Sequence, residues 1–187
     1  MEINAKKKVV SEMTFKGYGI EFHPVKVRDL RCLRQWRNSA EIRLHMLDTS
    51  IISPSQQILW YKTIKNRLNE AHWVAWYKGV RVGYANIKGS GDLRIQKTAE
   101  FGLYVGNSKL RHGLLGYAIS LLKFDIAFES LSILNGYSWV HKDRKQVLKF
   151  DKQLGYTEQK CENEFIKINL SKADYLASKL KLKRYFN

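Results

Sequence analysis

The sequence predicts a single domain of the α/β (α+β) class, and three observations carry that expectation. The 187 residues suffice for one domain with a sizeable core. Apolar residues make up 44% of the chain, and they recur with both helical and strand periods. Residues 98–130 read, in direct succession, as a β-rich run, a loop carrying Arg111, Gly113 and Gly116, and an amphipathic helix.

The elements follow in order. Residues 1–17 show no clear period and are expected to be a frayed start, which leaves 18–187 as the domain. Ile20, Phe22, Val25 and Val27 predict a strand, with Pro24 pointing to a sheet edge. Asp29 can cap a helix over Leu30, Leu33 and Trp36, and Ile42, Leu44, Met46 and Leu47 suggest a second helical patch. Ser53-Pro54-Ser55-Gln56 offers a Ser cap, Pro at the first helical position and Gln at the capping-box position. Ile58, Leu59, Tyr61, Ile64 and Leu68 would then form its buried stripe. Residues 73–77 and 80–87 predict a hairpin about Lys78-Gly79, followed by an exposed loop at 88–92.

After the central strand, loop and helix, residues 131–140 predict another strand. Asp143 with Gln146 can box a helix carrying Val147, Leu148, Phe150 and Leu154, ended by Gly155. Residues 156–157 and 164–170 predict a closing hairpin. Ser171 with Asp174 opens a last helix with Tyr175, Leu176 and Leu180 on one face. The order is β-α-α-β-β-β-α-β-α-β-β-α, with no repeat, linker or low-complexity block.

Lys and Arg number 33 against 17 Asp and Glu, a net charge of +16 that favours acidic partners. The basic residues are spread along the chain, with a dense cluster only at 179–184. Dispersed basicity is the mark of a solvated surface, so nucleic acid is not the expected partner. No window approaches a membrane-spanning apolar run. The basic start lacks the apolar core of a signal peptide, and a cytoplasmic location is expected. Cys32 and Cys161 lie far apart and read as reduced thiols, with neither a disulfide frame nor a metal site.

The central unit carries the chemistry. Backbone N–H groups at a helix start are unpaired, and the helix dipole favours negative charge there. By themselves these residues fit a phosphate-bearing ligand and an unliganded strand–loop–helix equally.

The order of elements resembles the GCN5-related N-acetyltransferase (GNAT) superfamily over residues 18–170. That family holds acetyl-CoA at a strand–loop–helix unit with an Arg/Gln-x-x-Gly-x-Gly/Ala loop, matched here by Arg111-His112-Gly113-Leu114-Leu115-Gly116. Leu114 stands where the first Gly of that pattern falls. Leu154-Gly155-Tyr156 resembles the family's Leu-Gly-Phe ending. Trp36-Arg37-Asn38, Ile42-Arg43, Met46, Ile52-Ser53, Trp60 and Gly102-Leu103-Tyr104 resemble the branch acting on amino sugars of nucleotide-sugars, of the pseudaminic-acid pathway type. Gln57 replaces a His common in that branch, Arg144 an Asn, and Asp151 the Tyr that often protonates the departing thiolate. Asp can donate a proton near neutrality only if its pKa is raised, so that role is not carried over.

The resemblance implies a central mixed, largely antiparallel sheet flanked by helices, and acetyl-CoA as acyl donor. The donor's diphosphate would meet Arg111 and the N–H groups of His112, Gly113, Leu114, Leu115, Gly116 and Tyr117, with Arg144 nearby. An N–H among Leu103, Tyr104 and Val105 would polarise the thioester carbonyl. Glu100 is the first candidate for the base that takes the amine's proton, and His141 the second. Arg37, Asn38, His45 and Trp60 are the acceptor-side candidates, since Arg can grip a phosphate and an aromatic ring can stack on a base or sugar. The expected function is transfer of acetyl to a primary amine, first of an amino-sugar nucleotide, by direct attack in a ternary complex. The partner is then a small-molecule amine, with a homodimer left open. A ribosomal, protein N-terminal or other small amine is the alternative acceptor. Two further readings stay open: a non-enzymatic module binding nucleic acid or an anionic surface through the basic tail, and a fold of this family that has lost activity.

Overall fold

A computed structural model of the protein describes residues 10–111 and 114–186. In chain order it holds β1 (Phe15–Gly17), β2 (Ile20–Pro24), α1 (Leu30–Asn38), α2 (Ala40–Arg43), α3 (Pro54–Ile64), β3 (Glu70–Tyr77), β4 (Val80–Lys88), β5 (Thr98–Val105), α4 (Leu115–Asp125), β6 (Asn135–His141), α5 (Lys145–Gln153), β7 (Thr157–Glu162), β8 (Phe165–Ser171) and α6 (Lys172–Leu182). The strands form one eight-stranded sheet in the order β1-β2-β3-β4-β5-β6-β8-β7. Every neighbouring pair is antiparallel except β5 with β6, so the sheet is mixed and largely antiparallel, as expected.

The sheet has two differently covered faces because side chains alternate along each strand. Ala71, Trp73, Ala85, Ile87, Ala99 and Phe101 join Ile119, Leu121, Phe124 and Phe128 in the main core. On the opposite face Val74 and Tyr84 pack with Val25, Leu30 and Leu33, and with Trp60 of α3. Helix α4 is buried on all sides: every residue from Ala118 to Phe124 is buried, Ser120 and Lys123 included. This corrects the amphipathic expectation. The chain continues from α4 into a π turn at Ile126–Ser130.

Several local expectations hold. Ser53 accepts from Gln56 N and closes the predicted capping box. Ser171 Oγ accepts from Asp174 N at 3.1 Å. Lys78 and Gly79 take positive φ values of 48° and 76°, matching the twist of a two-residue hairpin turn.

Other expectations are overturned. Of the 1–17 segment expected to fray, residues 1–9 lie outside the described residues; in 10–17 Val10 is buried, the Trp73 indole donates to the Met13 carbonyl at 3.1 Å, and β1 pairs with β2. Pro24 therefore closes an interior strand, and short β1 takes the edge. Asp29 stands at the N-cap of α1, but its carboxylate instead accepts from Lys26 N and Arg81 Nε. On α3, Ile58 and Leu59 are exposed, as is Leu68 beyond it, while Gln57 and Ile64 turn inward. The α5 N-cap is Arg144, without a side-chain capping bond. Tyr175 is buried, whereas Leu176 and Leu180 face solvent. The first Lys of the basic tail is already paired: Lys179 Nζ lies 2.5 Å from Asp125 and 2.8 Å from Glu129. Among the described residues no helix is long and apolar enough to cross a membrane.

Candidate active site

The site is built by one parallel strand pair that comes apart. β5 and β6 pair only where Thr98–Glu100 meets Asn135–Tyr137. Beyond that point β5 keeps to β4 as far as Val105, and β6 keeps to β8 as far as His141. Ser138 Oγ spans the start of the split, donating to the Phe101 carbonyl at 2.7 Å. The split opens a cavity of about 610 Å³ whose walls come from both faces of the sheet.

On the α1–α3 face the cavity meets Arg37, His45, Gln57, Trp60, Tyr84, Asn86, Lys88, Glu100 and Tyr104. The register explains the grouping: Tyr84, Asn86 and Lys88 of β4 stand opposite Tyr104, Gly102 and Glu100 of β5. Tyr84 and Tyr104 are stacked, with centroids 5.2 Å apart. Burial holds both phenols protonated by raising their pKa. Arg37 donates through Nη2 to the Asp48 carbonyl, while its Nη1 is buried without a partner. It is a cation with a donor to spare at the cavity wall.

On the α4–α5 face the cavity meets Ser120, Lys123, Phe124, Val147, Phe150 and Asp151. Lys123 is fully buried, its ammonium 4.8 Å from the Phe124 ring centroid and 5.4 Å from that of Phe101. Burial pulls its pKa down to about 7, and the attraction of Asp151 only partly opposes this. Burial likewise lifts Asp151 to about 7 against the pull of Lys123. The condition stated for an Asp at this position is met: near neutrality its carboxyl can carry a proton. The Ser120 hydroxyl is buried without a partner at the same wall.

At the start of α4 the Ala118 N–H bonds to the Leu114 carbonyl. The N–H groups of Leu115, Gly116 and Tyr117 fall in the turn that a helix leaves unpaired. A Cβ on Gly116 would touch the Phe150 ring at 3.4 Å, so α4 and α5 run close here. The Tyr117 and Phe150 rings meet tilted by 46° with centroids 4.4 Å apart, and Tyr117 donates to Gln153. Leu114 is exposed at the N-cap and does not line the cavity. His112 and Gly113 lie outside the described residues.

The remaining sequence-derived candidates divide. Glu100, Leu103, Tyr104, Arg37, His45 and Trp60 line the cavity; Val105, Arg111, His141 and Arg144 do not. Arg111 is engaged by the Glu41 carboxylate and the Val105 carbonyl. His45, His141 and Arg144 gather near the rim: the two imidazoles meet edge-on at 5.9 Å, and Arg144 Nη1 lies 3.3 Å from His45 Nδ1. Asn38 does not reach the cavity. Its amide donates to the Ile52 carbonyl and accepts from Ile52 N, each at 2.9 Å, clipping the 44–52 loop to α1.

Tyr84, Asn86, Ser120, Lys123 and Ser138 are cavity residues that sequence reasoning missed. A signal existed for two of them: a Lys inside Leu121-Leu122-Lys123-Phe124 and an Asn inside an apolar strand are polar groups on buried stripes. Among the described residues no cluster of His, Cys, Asp and Glu could hold a metal ion.

No protein-family model and no curated protein matches this sequence. Solved structures do match. A structure described as apo FdhC, a nucleotide-linked sugar GNAT, superposes with a TM-score of 0.78 at 18% identity, covering 94% of this chain and 99% of its own. Spermidine N-acetyltransferase from Vibrio cholerae, in complex with CoA and spermine, gives 0.74 at 16% identity, covering 86% and 99%. The Campylobacter jejuni N-acetyltransferase PseH, in complex with acetyl coenzyme A, gives 0.64 at 18% identity, covering 82% and 99%. The chain has the GNAT fold.

Proposed function

We propose that the protein is an acetyl-CoA-dependent N-acetyltransferase acting on a primary amine, with an amino-sugar nucleotide as the first acceptor to test. The observation that carries this reading is the cavity through the β5–β6 split, with titratable side chains on both walls. The nucleotide-linked sugar GNAT among the similar structures supports the acceptor class, and PseH with acetyl coenzyme A supports the donor. Arg37, with an unpaired buried donor, suits a phosphate of such an acceptor.

Direct transfer needs both substrates held in line, a stabilised carbonyl oxygen and managed protons. The N–H groups of the first turn of α4, Leu115, Gly116 and Tyr117, would receive the donor's diphosphate. A backbone N–H of Leu103 to Val105 would face the carbonyl oxygen as negative charge develops there. Glu100, at the closed end of the split, is the base that makes the ammonium a neutral amine. Asp151, protonated in part near neutrality, returns a proton to the departing thiolate, and Lys123 keeps the site's charge balanced as it does so.

Saturating CoA should raise the melting temperature by about 5–10 °C, as a ligand at a hundred times its Kd does for a chain of this size. Gly116→Trp, which drives an indole into Phe150 and the start of α4, should abolish that shift; an unchanged shift removes the diphosphate site from this loop. Glu100→Gln should lower kcat about a hundredfold with little change in the KM for acetyl-CoA. A full rate with an intact pH profile would take the base role from Glu100.

A further inference from the structure

A chain of hydrogen bonds crosses β3 and β4 toward the cavity, and the roles assigned above do not use it. Glu70 Oε2 lies 2.9 Å from His72 Nε2. His72 Nδ1 lies 2.5 Å from the Tyr84 hydroxyl, and Asn86 Nδ2 donates to that hydroxyl at 3.1 Å. The outer end is wet, since Glu70 also pairs with the exposed Arg67 at 2.7 Å. The inner end, Tyr84 with Asn86, lines the cavity. His72 is sealed between them, 2% exposed, with the Trp60 ring edge-on at 5.5 Å.

Only one proton pattern satisfies this chain with neutral His72. The Glu70 carboxylate can only accept, so His72 Nε2 carries the hydrogen. Nδ1 is then bare and accepts from the Tyr84 O–H. The Tyr84 oxygen accepts from Asn86 and keeps a lone pair free. Asn86 Oδ1, the other end of that amide, is buried beside Gly102 with no partner; a Cβ on Gly102 would come within 2.5 Å of it. A hydroxyl, an imidazole and a carboxylate in this sequence form an oriented path for protons.

We propose that Tyr84, His72 and Glu70 form a proton relay that draws a proton from the attacking amine in the cavity toward the protein surface. This rests on the acyl-transfer reading and adds to it a second proton path. An ammonium must lose two protons to become an amide nitrogen, and Glu100 accounts for the first. The neutral amine's lone pair then forms the C–N bond, and the carbonyl π pair moves to oxygen. As the N–H bond breaks to the Tyr84 oxygen, the Tyr84 O–H proton moves to His72 Nδ1. Tyr84 stays a neutral phenol, and His72 becomes an imidazolium against the Glu70 carboxylate. The oxygen's pair reforms C=O, the C–S bond breaks with its pair on sulfur, and Asp151 protonates the thiolate. The imidazolium then passes its proton outward to water by way of Glu70. Tyr84 touches the substrate; His72 and Glu70 are positioning residues acting through it.

The surrounding charges fit the resting state this requires. Burial holds His72 below its ordinary pKa, with Lys88 and Arg67 adding to the effect and Glu70 opposing it. Hydrogen bonds from His72 and Arg67 hold the Glu70 carboxyl down at about 2. Burial, with Glu70 and Glu100 nearby, keeps the Tyr84 phenol protonated. α3 brings Trp60 to His72, an uncharged neighbour.

Two measurements on the full chain test the proposal. In nitrogen-15 histidine spectra at pH 7, His72 should be neutral, with hydrogen on Nε2 and Nδ1 bare; hydrogen on Nδ1, or an imidazolium, overturns the relay without any acceptor being known. For turnover, the probes are acetyl-CoA with a nucleotide-linked amino sugar, a polyamine and an aminoglycoside. Tyr84→Phe should lower kcat about a hundredfold while the CoA melting shift persists. Glu70→Gln should lower kcat and move the acid limb of its pH profile to lower pH, because the imidazolium loses its counter-charge; a structural defect would leave that limb in place. Tyr84→Phe within threefold of the parent rate, with the CoA shift retained, overturns the relay alone. Absence of any CoA shift in the parent protein overturns the acyl-transfer reading, and the proposal with it.

Discussion

Gly136→Ala should destabilise the protein by about 3 kcal/mol, at the upper end of what an extra methyl costs in a packed core. A Cβ at residue 136 would fall 1.9 Å from Phe101 Cε2 and 2.5 Å from Cδ2. The Phe101 ring is held from other sides by Phe124 at 5.4 Å and Phe128 at 5.7 Å, so it has little room to withdraw. The backbone is equally fixed, because Gly136 pairs with Ala99 on one side and Leu170 on the other. For a chain of this length the loss amounts to a fall in Tm of roughly 10 °C, readable by calorimetry. Adding Phe101→Leu should recover part of it, giving a favourable coupling in a double-mutant cycle. An unchanged Tm would mean that the split strands are less tightly joined at their base than this contact requires.

Replacing the buried Lys123 and the half-buried Asp151, Lys123→Met with Asp151→Leu, should make the protein more stable and inactive. The stability gain at pH 7 should be on the order of 2 kcal/mol, within the range found when buried charges give way to packed apolar groups. The pH dependence has a definite sign. Asp151 titrates near 7 when folded, against 3.8 in its ordinary state. Between those values the folded protein holds the extra proton, so stability falls as pH rises toward 7. Lys123 titrates near 7 when folded, against 10.5 ordinarily. Above 7 the unfolded chain holds the extra proton, so stability climbs again toward pH 10. The pair thus places a dip in the stability profile near neutrality, and the double variant should flatten it. Urea denaturation between pH 5 and 9 reads this directly; a parent profile without the dip removes the pair's strain. A cavity wall that keeps so costly a pair is one where titration is useful.

Much of the secondary structure was legible because it rests on local rules. Ser53 and Ser171 cap helices through their own side chains, and Lys78-Gly79 takes the backbone angles a tight hairpin needs. The errors fall where a distant residue supplied what the local pattern lacked. Residues 10–17 looked unpatterned, yet Trp73 reaches Met13 and Phe15 packs edge-on to that indole at 5.8 Å. Asp29 looked like a cap, yet Arg81, far along the chain, claims one of its carboxylate oxygens. Ile58 and Leu59 looked buried, yet α3 turns Gln57 toward the cavity instead.

The candidate site divides the same way. Glu100, Leu103, Tyr104 and the start of α4 could be read from one continuous strand, loop and helix. Arg111 could be named but not placed, because its partner Glu41 lies on α2. Asp151 was legible only as a departure, and its capacity to hold a proton comes from burial opposite Lys123 on another helix.

The sequence by itself determined most of the order of elements, the Ser53 and Ser171 caps, the Lys78-Gly79 turn and the strand–loop–helix unit, since each depends on neighbours within a few residues. The tertiary structure alone decided where β5 and β6 part, which polar groups the resulting cavity collects, and how burial resets their protonation. Those outcomes depend on residues far apart in the chain sharing one space between both faces of the sheet, and no local pattern records that.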